Sequence, residues 1–519
     1  MSVPDVSVVV AVYNTMPYLT ECLTSLVQQT IGLDRLEVIA VDDGSTDGGG
    51  EELDRWAERY PGTIKVLHQA NSGGPAKPSN RALDIATGRY VFFIGADDHL
   101  GPEAMQRLVA TADKLDADIV LGRMVGAGGR YVNQAVYKPG NKNSITLADS
   151  ALPWALSNTK LFRRSMIEEN GIRYPEQLRS YSDQPFTLRA VVAARRIAVR
   201  ADYDFYYAVR RQDDSNITYG TPVTRFLQDA EVVMDTVADV VTDPESRHRV
   251  LRRNFTWEVY KLVSARFVAA GPEERRQVHE GVRKLAEAYL TEEMRASLDV
   301  HRRVPISIAQ HGSLEDLEAV AEHYAEHGLG PLVIEGDRYY VAFPGFRDPA
   351  KDFPDAWFEA TAGESSAAVQ REPATVTLGE GVLRLEWHSH LPALGPGASV
   401  SIGSQKARSL TAEPVDGGLR IRAEFALTDL AASWKGRPVK FRHSAAEPAI
   451  TRDLTVIPPA VVTVRYRNGL RFYTVALRTN SKARLTVVVS TFGPRRLAGR
   501  LVRKLRPVLG PRQGGKTPA

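Results

Sequence analysis

The first 220 residues alternate two hydrophobic patterns. Val6–Val12 (VSVVVAV) is a continuous β-branched run, the mark of a strand covered on both faces. Tyr18, Leu19, Cys22, Leu23, Leu26 and Val27 then recur at helical spacing, which predicts an amphipathic helix over Tyr18–Gln29. The alternation continues with a strand at Leu36–Val41, a helix around Glu51–Arg59 and a strand at Ile64–His68. A helix containing Arg81–Ile85, a strand at Tyr90–Ile94 and a helix over Glu103–Leu115 follow. Strands separated by helices of this length predict a mostly parallel, doubly wound α/β sheet of Rossmann-like kind.

From Val223 to about Gly328 the spacing is helical: Phe226, Ala230, Val233, Val237 and Val240 repeat every three or four residues, and Leu314–His327 does likewise. After Pro331 the period drops to two. Leu383, Leu385 and Trp387 alternate with polar neighbours, as do Leu419, Ile421, Ala423 and Phe425, and Val461–Arg467 and Leu470–Leu477 flank Asn468-Gly469, a strong hairpin signal. A Pro/Ser/Glu-containing stretch, Thr361–Pro373, is expected to separate the β part from what precedes it. The pattern therefore divides into an α/β domain over 1–222, a helical linker domain over 223–350, an all-β sandwich-like part over 351–490 and a tail over 491–519. Length agrees, since 519 residues at roughly 100–200 per domain suggest about three domains.

Composition narrows the class. Hydrophobic residues at 43% and charged residues at 25% exclude wholesale disorder and a collagen-like chain. Cys22 is the only cysteine, which forbids an internal disulfide and a cysteine-based zinc site; on its apolar stripe it reads as a buried, inert thiol. Neither a signal-peptide pattern nor a run of ~20 apolar residues is present, so the expected setting is cytoplasmic, with at most peripheral membrane contact. The net charge of +4 is uneven: residues 481–519 hold ten basic side chains and no acidic ones, leaving −6 on the preceding 480. Within 494–509, Leu497, Leu501 and Leu505 repeat among arginines. Three readings stand for this tail: a helix on an anionic membrane surface, a contact for a polyphosphate acceptor, or a solvated basic segment. No aromatic-interleaved basic surface accompanies it, which argues against nucleic acid. His388-Ser389-His390 alternates on a strand and, without a third ligand, is expected at the surface rather than at a metal.

Ligands of doubly wound sheets sit beyond the carboxyl ends of the strands. Those ends read Ala11-Val12-Tyr13-Asn14, Asp42-Asp43-Gly44-Ser45-Thr46-Asp47, Asn71-Ser72-Gly73-Gly74-Pro75-Ala76-Lys77 and Gly95-Ala96-Asp97-Asp98. The first offers an aromatic ring and an amide, the second carboxylates for hydroxyl or ring N–H donors, and the third amides and a lysine for phosphate. In the fourth, adjacent carboxylates after a buried strand call for a cation, which a hard divalent metal carrying phosphates supplies. Each has a plainer explanation alone: Ser45 or Thr46 as a helix N-cap, Asp97 and Asp98 as a cap for the next helix or solvated acids. Their convergence at the ends of consecutive strands favours a common site.

These residues resemble family 2 glycosyltransferases of the GT-A fold. The resemblance rests on VSVVVAVYN (Val6–Asn14), VDDGSTD (Val41–Asp47), NSGGPAKPSNRA (Asn71–Ala82) and FIGADDHL (Phe93–Leu100). NGIRYPE (Asn170–Glu176), YSDQPF (Tyr181–Phe186) and YYAVRRQDDSNIT (Tyr206–Thr218) continue it in family order. It implies a donor site made of Ala11, Tyr13, Asp43, Asn71, Lys77, Asp97, Arg211 and Ser215. In it Tyr13 stacks on uracil, Asp43 bonds base or ribose, Asn71 and Lys77 hold the nucleotide end, and Arg211 with Ser215 supports the diphosphate. It implies Asp98 as direct ligand of Mg²⁺ or Mn²⁺, with Asp97 nearer the ribose, and Asp183 as the base of an inverting transfer, where one carboxylate takes the acceptor proton. Two positions depart from the family: Gly95 stands where an acid is usual, and Ser79 precedes Asn80 where many members carry arginine, with Arg81 as a substitute to be tested.

The sequence of α/β domain, helical linker and β part further resembles the wall teichoic acid N-acetylglucosaminyltransferases, which modify poly(ribitol phosphate). GGPAKP (Gly73–Pro78), the stretch from Lys160 to YSDQPF, and VIEGDRYY (Val333–Tyr340) carry that likeness. It implies a UDP-sugar donor, an anionic polymer acceptor and assembly as a homotrimer. Transfer to a capsular polysaccharide or lipid-linked glycan, and a vestigial transferase that binds polymer, remain alternatives.

Overall fold

The computed structural model describes residues 3–211, 221–379, 381–430, 433–443, 449–457, 463–468, 471–479 and 483–492. The chain forms two compact units, Met1–Leu298 with Ile308–Leu314, and Asp299–Ser307 with Glu315–Ala519.

In the first unit the strands are β1 (Val6–Val12), β2 (Leu36–Asp42), β3 (Ile64–His68), β4 (Tyr90–Gly95), β5 (His99–Leu100), β6 (Ile119–Ala127), β7 (Leu161–Arg163) and β8 (Ile197–Val209). They form one sheet in the order β3-β2-β1-β4-β7-β6-β8-β5. β3, β2, β1 and β4 are parallel neighbours, whereas β7 joins β4 and β6 antiparallel and β5 joins β8 antiparallel. The sheet is thus mostly parallel, as the alternation predicts. Its helices are α1 (Tyr18–Val27), α2 (Gly49–Arg59), α3 (Ala76–Ile85), α4 (Ala104–Leu115), α5 (Arg164–Glu169) and α6 (Asp183–Ala193). Val8, Val10, Val38 and Ala40 of the central strands pack with Leu19, Cys22, Leu23 and Leu26 of α1 in one core. Cys22 is fully buried there, and burial pushes its thiol well above the ordinary value, so it is inert as expected.

α7 (Val223–Val240), α8 (Pro244–Asn254) and α9 (Pro272–Tyr289) extend this unit. Phe226, Ala230, Val233 and Val237 are buried, as their spacing predicts. α8 starts where Asp243 accepts from the Ser246 amide at 2.8 Å with Pro244 at the first turn, a combination that satisfies an orphan amide.

The second unit is mainly antiparallel. β9 (Leu332–Glu335), β10 (Arg338–Val341) and β11 (Glu359–Ala360) make a small sheet. β12 (Thr375–Gly379), β13 (Val382–Ser389), β16 (Ser409–Val415) and β17 (Gly418–Ala426) make a second. β14 (Ser399–Ile402), β15 (Gln405–Lys406), β18 (Ser433–His443), β19 (Ile450–Asp453), β20 (Thr463–Asn468), β21 (Arg471–Thr479) and β22 (Leu485–Phe492) make a third. The period-two residues face inward in register: Leu383 opposite Phe425, Leu385 opposite Ala423, Trp387 opposite Ile421, all buried.

Three details differ from expectation. Thr361–Pro373 is folded rather than a plain separator, because Thr361 and Glu364 form a capping box that starts a helical turn and Ala368 and Val369 are buried. β20 and β21 pair with Asn468 opposite Arg471, so Asn468 ends a strand instead of forming the turn. His390 is buried, its Nδ1 3.0 Å from the Gly417 carbonyl, while His388 Nδ1 meets the Glu372 carboxylate at 2.5 Å at the surface. Arg484 belongs to the sheet region and pairs with Asp453 at 3.2 Å; the tail from residue 493 onward lies outside the described residues. Among the described residues no helix is long and apolar enough to cross a membrane.

Candidate active site

At the end of β2 the acidic turn divides its work. The Asp42 carboxylate accepts from the Ser45 amide at 2.9 Å and meets His68 at 3.0 Å; Asp47 accepts from the amides of Met16 at 2.7 Å and Gly49 at 3.0 Å. Neither Ser45 nor Thr46 caps α2, whose N-cap is Gly48 in the left-handed region. Ser45 and Thr46 instead clasp the end of β1: the Asn14 amide donates to Ser45 Oγ at 3.2 Å, and the Thr46 amide to Asn14 Oδ1 at 2.8 Å. Gly44, at φ +79°, lets the turn pass the Asn71 amide, which any Cβ would meet at 2.9 Å. Asp43 is then free to hold the next loop, accepting from Gln69 Nε2 at 2.6 Å, the Ser72 amide at 3.0 Å and Ser72 Oγ at 2.9 Å.

The end of β4 carries the second acidic pair. Asp98 is buried and accepts from the Tyr206 hydroxyl at 2.5 Å and the Val209 amide at 2.7 Å, both on β8, with Arg130 at 3.8 Å. Asp97 accepts from Arg211 Nε at 2.7 Å. Burial and the adjacent Asp97 charge push the Asp98 carboxyl up to about 6. A Cβ at Gly95 would stand 2.9 Å from Asp98 and 3.0 Å from Asp97, so glycine lets both carboxylates fold back over the strand end. Two adjacent carboxylates at one strand end are hard oxygen donors of the kind a divalent cation takes, here with Arg211 and Arg130 as the neighbouring positive charges. No cluster of three or more His, Cys, Asp or Glu accompanies them among the described residues.

The third element is the start of α6. Asp183 opens the helix directly after Tyr181, whose φ is +61°, and Ser182. Burial raises its carboxyl, opposed by Arg253 and Lys160. Lys160 is buried at 2% exposure and donates to the Ser157 carbonyl; burial pushes it down to about 7. Beside Asp183, Gln184 binds Glu258 at 3.1 Å, and Arg253 reaches Gln184 at 2.7 Å and Glu258 at 2.6 Å.

A cavity of about 640 Å³ gathers these parts. Ala11, Tyr13, Asp43, Asn71, Asp97, Asp98, Asp183 and Arg211 all line it. Lys77 does not; it is exposed on the first turn of α3. Ser215 lies outside the described residues. Ser79 is buried in the lining, whereas Arg81 is committed to the His68 carbonyl at 2.8 Å and lies outside it, so Arg81 does not replace the family arginine. Asn80 clamps the segment Tyr174–Glu176, its amide group bonding Tyr174 at 2.8 and 2.9 Å and Glu176 at 3.0 Å. The sequence reading missed Arg130, Asn158, Tyr174 and Tyr206 in the lining. Tyr174 and Tyr206 lie within the NGIRYPE and YYAVRRQDDSNIT motifs without having been singled out, whereas Arg130, after β6, and Asn158 arrive by segments with no local signal.

A family model described as glycosyl transferase family 2 matches residues 7–171, and one described as the glycosyl transferase TarS linker domain matches 224–321. The uncharacterized glycosyltransferase EpsJ of Bacillus subtilis is 31% identical over 44% of this chain and 67% of its own length. The chain belongs to glycosyltransferase family 2. Within family 2 it is 34% identical to the poly(ribitol-phosphate) β-glucosyltransferase of Bacillus spizizenii over 50% of this chain and 41% of that protein, so it aligns with less than half of that relative. Staphylococcus aureus TarS supplies the structural likeness. Its crystal structure matches 95% of this chain and 86% of TarS with a TM-score of 0.61 at 21% identity, which supports the fold of α/β sheet, helices and antiparallel β sheets. Its 1–349 segment in complex with UDP-GlcNAc matches 66% of this chain and 97% of that segment, with a TM-score of 0.57 at 27% identity.

Proposed function

We propose that the protein is an inverting glycosyltransferase that moves N-acetylglucosamine from UDP-N-acetylglucosamine to a hydroxyl of a teichoic-acid-type poly(polyol phosphate). The observation that carries the reading is the single cavity joining the β1, β2 and β4 strand ends to the Asp183 carboxylate at the start of α6. Tyr13, 42% exposed at the rim, stacks on uracil, and Ala11, Asp43 and Asn71 complete the nucleoside end. Asp98, with Asp97, would hold Mg²⁺ or Mn²⁺. That cation, when bound, neutralises charge on the diphosphate leaving group. Arg211, already aligned by Asp97, offers a second positive charge to the same oxygens. Asp183 takes the proton of the acceptor hydroxyl as its oxygen bonds the anomeric carbon and the bond to UDP breaks; its raised carboxyl suits a base. One base and one displacement give inversion. The domain limits 1–222, 223–350, 351–490 and 491–519, assembly as a trimer and a tail that touches polymer or membrane belong to the same reading, as does a cytoplasmic reaction, where nucleotide sugars are made.

The Bacillus spizizenii relative favours a second donor, UDP-glucose. Release of UDP from UDP-N-acetylglucosamine and from UDP-glucose, with purified poly(ribitol phosphate) and Mn²⁺ or Mg²⁺, tests both. Faster turnover of UDP-glucose replaces the sugar; no polymer-dependent release from either donor overturns the reading.

A further inference from the structure

The second unit holds a second recess, about 880 Å³, whose charge is opposite to that of the acidic cavity of the first unit. It is paved by one face of the third sheet. In register across that sheet, Lys406 lies opposite Ser401, Ser401 opposite Lys440 and Lys440 opposite Asp453; two residues along the strands, Ser399 lies opposite Arg442. The intervening Val400, Phe441 and Val439 are buried on the other face, so period two alone presents the cations. Arg484 joins the lining; Arg452 also borders it, but lies opposite Phe441 in register and donates to the Ser366 carbonyl at 2.8 Å. Among the described residues, Lys406, Lys440, Arg442 and Arg484 line this face of the recess together with one acid, Asp453, which Arg484 engages at 3.2 Å. Neither Lys406 nor Lys440 has an acidic partner within ion-pair distance among the described residues.

A monomeric fold gains nothing from concentrating like charges on one concave sheet face, since they repel. Serine and threonine hydroxyls between the cations supply neutral donors for phosphate oxygens. Residues i and i+2 of a strand lie about 6.6–6.8 Å apart, and neighbouring strands about 4.8 Å, so the charges form a row rather than a point. We propose that this recess binds a linear polyanion of phosphodiester-linked units, with Lys406 and Lys440 on successive phosphates. The site is independent of the transfer chemistry; only the choice of a polyol phosphate as the chain rests on the proposed acceptor.

The test is fluorescence anisotropy of the full chain with a fluorescein-labelled ribitol phosphate octamer at two salt concentrations. The double variant K406E/K440E is expected to bind at least ~10-fold more weakly, with the slope of log affinity against log salt reduced by about one to two, as loss of two phosphate contacts requires. The melting temperature and sedimentation coefficient serve as fold and assembly controls. An unchanged affinity overturns the proposal, as does tighter binding of an RNA octamer of matched charge. Lost binding accompanied by a changed sedimentation coefficient also overturns it, in favour of a contact between copies. Because binding needs no turnover, an inactive transferase that still shows the charge-dependent loss refutes the proposed reaction and leaves the recess intact.

Discussion

The two recesses are built by opposite logic. In the first unit the lining comes from strand ends: four parallel strands stop together and their turns supply Tyr13, Asp43, Asn71 and Asp98. In the second it comes from a strand face, where alternate residues of β14, β18 and β19 point the same way. A parallel sheet is buried on both faces and has only its edges and ends to offer a ligand, whereas an antiparallel sheet can leave one face wet. Ends also bring unlike residues together from distant loops, which suits catalysis; a face repeats like residues at fixed spacing, which suits a repeating ligand. The acids of the end-built cavity and the cations of the face-built recess follow from that division.

Changes confined to one recess sharpen the contrast. Asp183→Asn should lower kcat about 10²- to 10⁴-fold, the usual contribution of a positioned base, while donor binding by calorimetry stays within a factor of two. A variant that retains full turnover removes Asp183 as the base. Asp98→Asn should reduce metal-stimulated UDP release by at least about 100-fold, since a cation at a leaving group contributes several kcal/mol. Equal stimulation by Mn²⁺ in variant and parent would assign the cation elsewhere. Tyr13→Ala should raise KM for the donor about 10- to 100-fold, because stacking a base on an aromatic ring contributes about 1–3 kcal/mol, with little change in kcat.

Two smaller effects are pH-dependent. Lys160, with its ammonium pushed down to about 7, binds fewer protons folded than unfolded between there and the ordinary 10.5. Its contribution to stability therefore rises as pH climbs through that window. Lys160→Met should flatten the rise in melting temperature between pH 7 and 9.5, and should move the acid limb of the pH–rate profile upward, because Asp183 loses a nearby positive charge. His68 runs the other way. Asp42 and Asp54 raise its imidazole, so its stabilisation is present at low pH and is lost as pH rises through the raised value. Being half exposed, it should contribute under ~1 kcal/mol, visible as a slightly lower melting temperature of His68→Gln at pH 6 that disappears by pH 8.5.

The sequence by itself determined β1 to β4 with the helices between them, the helix at Val223–Val240 and the strands β13, β17, β20 and β21, because β-branched runs, period two and helical spacing are local properties read within one element. It also determined which loops meet, since parallel strands must end on the same side, and eight of the ten nominated residues line the cavity. It could not tell which member of a turn faces inward. Asp42 and Asp47 brace their own loop while Asp43 reaches across to Ser72, a choice made by backbone amides at specific distances. Lys77 sits in a motif yet turns outward on α3, and His390 reads as a surface residue yet is buried against Gly417. Tertiary structure alone brought Arg253 and Glu258 beside Gln184, and Tyr206 onto Asp98, across separations of 69, 74 and 108 residues. The reason is physical: a periodic pattern fixes a residue's face, but its charge state and partners depend on burial and on neighbours that only the closed fold supplies.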